Sequence, residues 1–149
     1  MGVYGSLWPP LVERMALVDG DQGIEMYEEF QPLPHEVMIK KRCYSAFCGI
    51  ELDLILRSTG MKAVIIAGVT TENCCHATAR DALFHNYGVI FLSDAIRTFD
   101  YPDLGYGATS AAEVYRASLV ILAISTAHIM TVDEMITPTK VKDNGVGVA

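Results

Sequence analysis

The chain has 149 residues, 51% apolar and 19% charged, with a formal net charge of −7. That length and apolar share suit one globular domain with a sizeable core and exclude a disordered chain. The acidic balance argues against nucleic acid or an anionic membrane as partner, since both need clustered Lys and Arg. No run reaches the roughly 18 apolar residues of a membrane span.

The apolar share is high for a lone domain, so either both faces of a sheet are covered or some apolar surface meets a partner subunit, and a homo-oligomer is expected. The N-terminus, MGVYGSLWPP, lacks a basic stretch followed by an apolar core, so no secretory signal is read there. The cysteines are Cys43, Cys48 and the adjacent pair Cys74 and Cys75. Their spacing is no zinc ribbon, and without an export signal the thiols are expected to be reduced in the cytoplasm.

In chain order, residues 1–21 read as irregular, with Trp8-Pro9-Pro10 and the turn Asp19-Gly20-Asp21. A short helix is expected over 22–30, before Pro32 and Pro34. Residues 36–41, EVMIKK, read as a strand ending in two lysines. Residues 46–59 read as a helix stopped by Gly60. Residues 63–69, AVIIAGV, are an uninterrupted β-rich run, as in a strand buried on both faces. A helix over 74–87 follows, then a buried strand over 89–93 closed by Asp94. Residues 98–108 form a Tyr/Gly/Pro/Asp loop and 110–125 a long apolar helix. A last short strand is expected over 127–132, and 138–149 as a flexible tail.

Strands alternating with helices imply right-handed βαβ units, hence an α/β fold with a mostly parallel, Rossmann-like sheet in a three-layer αβα arrangement. Ligands bind such sheets at the carboxyl ends of the strands. Lys41, the segment from Val69 to Cys74, and Asp94 all fall at such ends.

The stretch GVTTENCCHATARDA, residues 68–82, carries the strongest chemistry. The strand stops at Val69, Thr70 and Thr71 turn the chain, and Cys74 opens the helix. Unpaired amides and the helix dipole favour a thiolate there, and the same amides could hold an oxyanion. Read from the residues alone, Cys74 is either a nucleophile or a small buried side chain. Cys75 faces about 100° away and reads as core. Lys41 is either a solvated charge or an ammonium that holds the thiolate in place.

The segment KRCYSAFCGIELDLILRSTGMKAVIIAGVTTENCCHATARDALFHNYGVIFLSDA resembles the isochorismatase-like cysteine hydrolase superfamily. The resemblance rests on a Lys six residues before the Phe of Ser45-Ala46-Phe47. It continues in a strand ending in Gly-Val-x-Thr-x-x-Cys, a Thr-Ala-Arg-Asp-Ala helix and a strand ending in Asp-Ala. It implies that Cys74 is the nucleophile and Lys41 its catalytic partner. It further implies a cis peptide between Val69 and Thr70, an oxyanion hole from the amides of Thr70 and Cys74, and a substrate cleft lined by Tyr44 and Phe47. The implied reaction is hydrolysis of a small amide or carbamoyl substrate through a Cys thioester, with no cofactor and no metal.

Two departures stand out. Ile50 occupies a position where the family usually has Thr. The family's third catalytic group, an Asp at the end of a first strand, has no evident counterpart. Asp19 and Asp21 lie only about twenty residues before Lys41, too few for the βαβ crossover of thirty or so residues. The family's first strands thus read as missing, and the chain as shortened at its N-terminus. Two alternatives stay open: a catalytically impaired fragment or pseudo-enzyme that binds or oligomerises, and an isochorismatase-type vinyl-ether hydrolase.

Overall fold

In the computed structural model, the described residues are 24–137 together with Leu7 and Gly20. The irregular segment expected over 1–21, with Asp19 and Asp21, and the tail expected over 138–149 fall outside them, apart from those two residues. The chain divides into two compact units, Met1–Met38 and Ile39–Ala149.

In the first unit, the helix expected over 22–30 is reduced, among the described residues, to a 3₁₀ turn at Glu28–Phe30. Gln31 precedes Pro32, and a residue before proline is pushed out of the helical region. The Gln31 side chain instead donates to the Met26 carbonyl at 2.9 Å.

The second unit holds the sheet. Strands β1 (Ala63–Val69), β2 (Gly88–Arg97) and β3 (His128–Met130) pair in parallel in the order β1-β2-β3. The α/β class and the parallel sheet are as the sequence implies. Helices α1 (Leu52–Ser58), α2 (His76–Phe84), α3 (Ala111–Ser125) and α4 (Val132–Ile136) surround these strands in sequence. Phe91, Leu122, Ala79 and Ala82 are fully buried at the centre, with Val89 and Ile96 nearly so. The alanines of α2 let that helix approach the strands closely, so small side chains fix the spacing of the layers.

Several boundaries differ from the sequence reading. No strand forms over 36–41: Glu36 lies in a bend and residues 37–41 join no β ladder among the described residues. An extended apolar segment becomes a strand only with a neighbour to take its backbone hydrogen bonds. Helix α1 starts at Leu52 rather than residue 46, because Gly49 takes a left-handed φ of +67° and interrupts the chain there. Its end is as expected. Gly60 adopts φ +72°, and the amides of Gly60 and Met61 return to Arg57 and Leu56 at 3.0 and 2.9 Å.

Strand β2 is twice as long as expected and runs through Asp94. Ile66 faces Phe91 while Gly68 faces Ile96, so the extra residues bulge out of the ladder between those pairs. Asp94 therefore lies within a strand rather than at its end. Its Oδ1 accepts from the Val132 amide at 2.9 Å, at the start of α4. Helix α4 itself is an addition. Thr131 and Glu134 form a reciprocal capping box, as Ser110 and Glu113 do for α3.

Candidate active site

The peptide between Val69 and Thr70 is cis. Beyond it the chain enters a single π turn, Thr71–Cys75, which runs directly into α2. The helical rise therefore begins three residues earlier than expected, and Cys74 sits inside the first turn rather than opening it. The first closing bond is from the Cys75 amide to the Thr70 carbonyl, at 3.1 Å. A helical start leaves its leading amides without internal acceptors, and Cys74 is the last residue before that first closed ring. The wide i to i+5 closure is typical of functional sites in helices.

Lys41 meets this turn from a loop. Its Nζ lies 3.2 Å from Cys74 Sγ, 3.2 Å from the Cys43 carbonyl and 3.4 Å from the Tyr44 carbonyl. The two carbonyls fix the ammonium while the third donor reaches sulfur. Lysine's point-charge ammonium with rotatable donors suits that task. The expectation that Lys41 closes a strand is corrected, but its meeting with Cys74 does not depend on that strand.

Thr78 ties the loop to the turn. Its hydroxyl donates to the Cys74 carbonyl at 2.7 Å and accepts from the Ala46 amide at 3.1 Å. Sequence reasoning passes over this residue, although it falls one helical turn after Cys74, where side chains return to the same face. Phe47, from the same loop, is buried and stacks on His85 with ring centroids 5.0 Å apart. It lines a cleft of about 380 Å³ together with Lys41, Cys74, Thr78, Val69 and Leu52. Tyr44 is 42% exposed and is not among the residues lining that cleft.

Cys75 is buried and its thiol is pushed up to about 11, first by desolvation and then by the neighbouring Cys74 charge. Burial also lowers the pKa of His76, with the Arg80 charge adding to the effect. No group of three or more His, Cys, Asp or Glu side chains could hold a metal among the described residues.

A second polar group flanks the turn. Tyr101 donates a hydrogen bond to Glu72 Oε1, and Asn73 Nδ2 donates to the same oxygen at 3.0 Å and to Tyr101 Oη at 3.3 Å. Burial pushes the Glu72 carboxyl up, but hydrogen bonds, that of Tyr101 among them, outweigh it and hold the group below its ordinary range. Tyr101 is shifted upward by burial first, then by its bond to Glu72 and that group's charge. Lone Glu and Tyr residues carry no periodic signal, so nothing in the sequence pairs them.

The Isochorismatase domain family matches residues 10–134. Nicotinamidase 3 of Arabidopsis thaliana is 34% identical over 122 residues, covering 80% of this chain and 56% of that protein. The ureidoacrylate amidohydrolase RutB of Yersinia enterocolitica is 36% identical over 87 residues, covering 58% of this chain and 37% of that protein. A solved cysteine hydrolase from Pseudomonas syringae superposes with a TM-score of 0.84 at 36% identity, covering 91% of this chain and 62% of that one. N-carbamoylsarcosine amidase from Thermoplasma acidophilum superposes at 0.66 with 27% identity, covering 86% and 68%. The chain spans 34% to 56% of the length of the curated relatives it matches. With a domain match over most of its residues and a shared fold, this chain belongs to the isochorismatase family.

Proposed function

We propose that this chain carries the nucleophile and cation of a cysteine amidohydrolase acting on a small carboxamide or carbamoyl substrate. The observation that carries the reading is the 3.2 Å contact between Lys41 Nζ and Cys74 Sγ at the edge of the cleft. An ammonium held there by two carbonyls sets a positive charge beside the attacking sulfur. Cys74 Sγ attacks the substrate carbon, and the amide electron pair moves onto oxygen. The amides of Thr70 and Cys74 receive that oxyanion. The C–N bond then breaks, the amine or ammonia leaves with a proton, and a thioester remains on Cys74. Water adds to the thioester, the C–S bond breaks, and a carboxylic or carbamic acid is released.

The cleft volume, at the small end of ligand pockets, supports a small substrate. Phe47 lines that cleft and would contact the substrate there. Nicotinamidase and ureidoacrylate amidohydrolase relatives support the amide class. Free thiols at all the cysteines support a reducing, cytosolic setting. Exposed Val120, Ile121 and Ile124 on α3 support self-association. The test of the reaction is mass spectrometry of the chain with a slow amide substrate or an electrophilic analogue. An acyl adduct on Cys74, lost in Cys74→Ala, is expected; its absence sinks the reading.

A second reading is a catalytically impaired binding module. Among the described residues, no carboxylate contacts Lys41 Nζ or Cys74 Sγ, so no carboxylic acid is placed there to protonate the leaving nitrogen. Cys74-dependent release of ammonia or amine from any carboxamide by this chain would rule it out.

A further inference from the structure

Lys41 and Cys74 meet at 3.2 Å from segments 33 residues apart. Lys41 joins no β ladder among the described residues, so no strand pairing sets its loop in register with the π turn.

Thr78, in the first turn of α2, carries a hydroxyl with one proton and two lone pairs. The proton goes to the Cys74 carbonyl at 2.7 Å, and the oxygen accepts from the Ala46 amide at 3.1 Å. The first bond alone is ordinary, because a helical threonine often turns back to the carbonyl four residues before it. The second crosses between segments 32 residues apart. Donation to Cys74 commits the proton and leaves the lone pairs for the loop. Hydrogen bonds in such a chain polarise one another, so each strengthens the next.

Ala46 lies two residues past Tyr44. The Tyr44 carbonyl holds Lys41 Nζ at 3.4 Å and the Cys43 carbonyl holds it at 3.2 Å. On the other side of Ala46, Phe47 is buried and its amide donates to Ser45 Oγ at 3.1 Å. The path closes on itself. It runs from the Cys74 carbonyl through Thr78, Ala46 and the two loop carbonyls to the ammonium, and from there back to Cys74 Sγ. Lys41, Ala46, Cys74 and Thr78 all line the cleft.

We propose that Thr78 is a positioning residue, whose hydroxyl ties the loop carrying Lys41 to the residue carrying the sulfur and so sets the separation of ammonium and sulfur. The inference rests on Lys41 being the cation partner of Cys74. Without the hydroxyl the ammonium keeps its cradle, since both carbonyls belong to its own loop. What it loses is the tie from that cradle to Cys74. Attraction between charges falls with separation, so loosening the tie costs part of what removing the ammonium costs.

The test measures the rate constant for iodoacetamide alkylation of Cys74 near neutral pH in the full chain. Cleavage after Lys62 and Arg80 gives one peptide with Cys74 and Cys75, and its fragment ions locate the label. Thr78→Val, which replaces the hydroxyl with a methyl of similar size, should slow alkylation about threefold or more. Thr78→Ala, which lacks the hydroxyl without β-branching, should match it and serves if the valine chain does not fold; circular dichroism checks each variant. Thr78→Ser keeps the hydroxyl and should stay within about twofold of the native rate. The deciding arm is a double-mutant cycle. In a Lys41→Met chain, Thr78→Val should change the rate by less than about twofold, because the ammonium it acts through is gone. A serine chain as slow as the valine chain overturns the role of the hydroxyl. An undiminished loss in the Lys41→Met chain, or a Lys41→Met chain that reacts at the native rate, overturns the path through Lys41. Iodoacetamide needs no turnover, so each of these failures leaves the amidohydrolase reading to its own adduct test. A missing acyl adduct would sink that reading and leave the cycle as measured.

Discussion

Lys41 Nζ lies 3.2 Å from Cys74 Sγ across a separation of 33 residues, and it reaches the sulfur from a loop held by its own neighbours' carbonyls. The contact joins two segments that share no strand pairing, so it is a property of the folded second unit as a whole. Replacing Lys41 with Ala or Met removes the cation while leaving the π turn in place. Alkylation of Cys74 by iodoacetamide near neutral pH should slow about tenfold, because the thiolate loses its partner. An unchanged rate would show that the ammonium does not act on the sulfur.

The adjacent cysteines should separate cleanly in reactivity. Cys75 is buried and pushed up to about 11, whereas Cys74 lines the cleft. Peptide mapping after limited iodoacetamide treatment at neutral pH should find the label on Cys74. Labelling of Cys75 should become appreciable only as the pH approaches 11. Equal labelling of both at neutral pH contradicts this placement.

Glu72 supplies a pH-dependent tether between the π turn and the loop that carries Tyr101. Its folded-state carboxyl titrates below the ordinary glutamate value. The stability it contributes is therefore fully present above about pH 4.3, and is lost as the pH falls through the lower folded value. Glu72→Gln should lower the Tm at neutral pH, and the gap to the native chain should narrow on acidification. Thermal melts of the two chains between neutral and strongly acidic pH would show a constant gap if the carboxylate charge were irrelevant.

Packing beneath the site should be sensitive to volume. Leu122 of α3 is fully buried in the same cluster as Phe91, Ala79 and Ala82. Leu122→Ala should cost about 2–5 kcal/mol, the range for truncating a buried leucine. Ser110→Ala, which removes the N-terminal cap of α3, should cost about 1 kcal/mol. Urea unfolding followed by circular dichroism measures both, and a loss in Leu122→Ala no larger than in Ser110→Ala would be inconsistent with that core.

The elements that could be read from the sequence carry their own local signals. AVIIAGV is a continuous β-rich run, and α3 opens on a Ser-x-x-Glu box before an apolar stretch. The Gly60 stop is equally local. The residues that went astray depend on neighbours instead. EVMIKK has strand composition but gains no ladder. The extension of β2 past Ser93 follows from a bulge against β1, which no periodicity announces. The π closure from Thr70 to Cys75 differs from an α turn by one residue of hydrogen-bond register, invisible in side-chain spacing. At the site, Cys74 and Lys41 were legible through motif order, whereas Thr78, Glu72 and Tyr101 emerge only once the chain is folded.

Among the described residues, strand β1 is the outermost in the order β1-β2-β3, with Ile65 and Val69 more than half exposed. A strand paired on one side opens with less free energy than one held on both. The turn that presents Cys74 hangs from the end of that strand. Fraying of β1 would carry the sulfur away from Lys41 while β2 and β3 stay paired. Local opening of β1, short of unfolding the sheet, would thus be enough to part the reactive pair, and amide hydrogen exchange in β1 would read how often it does.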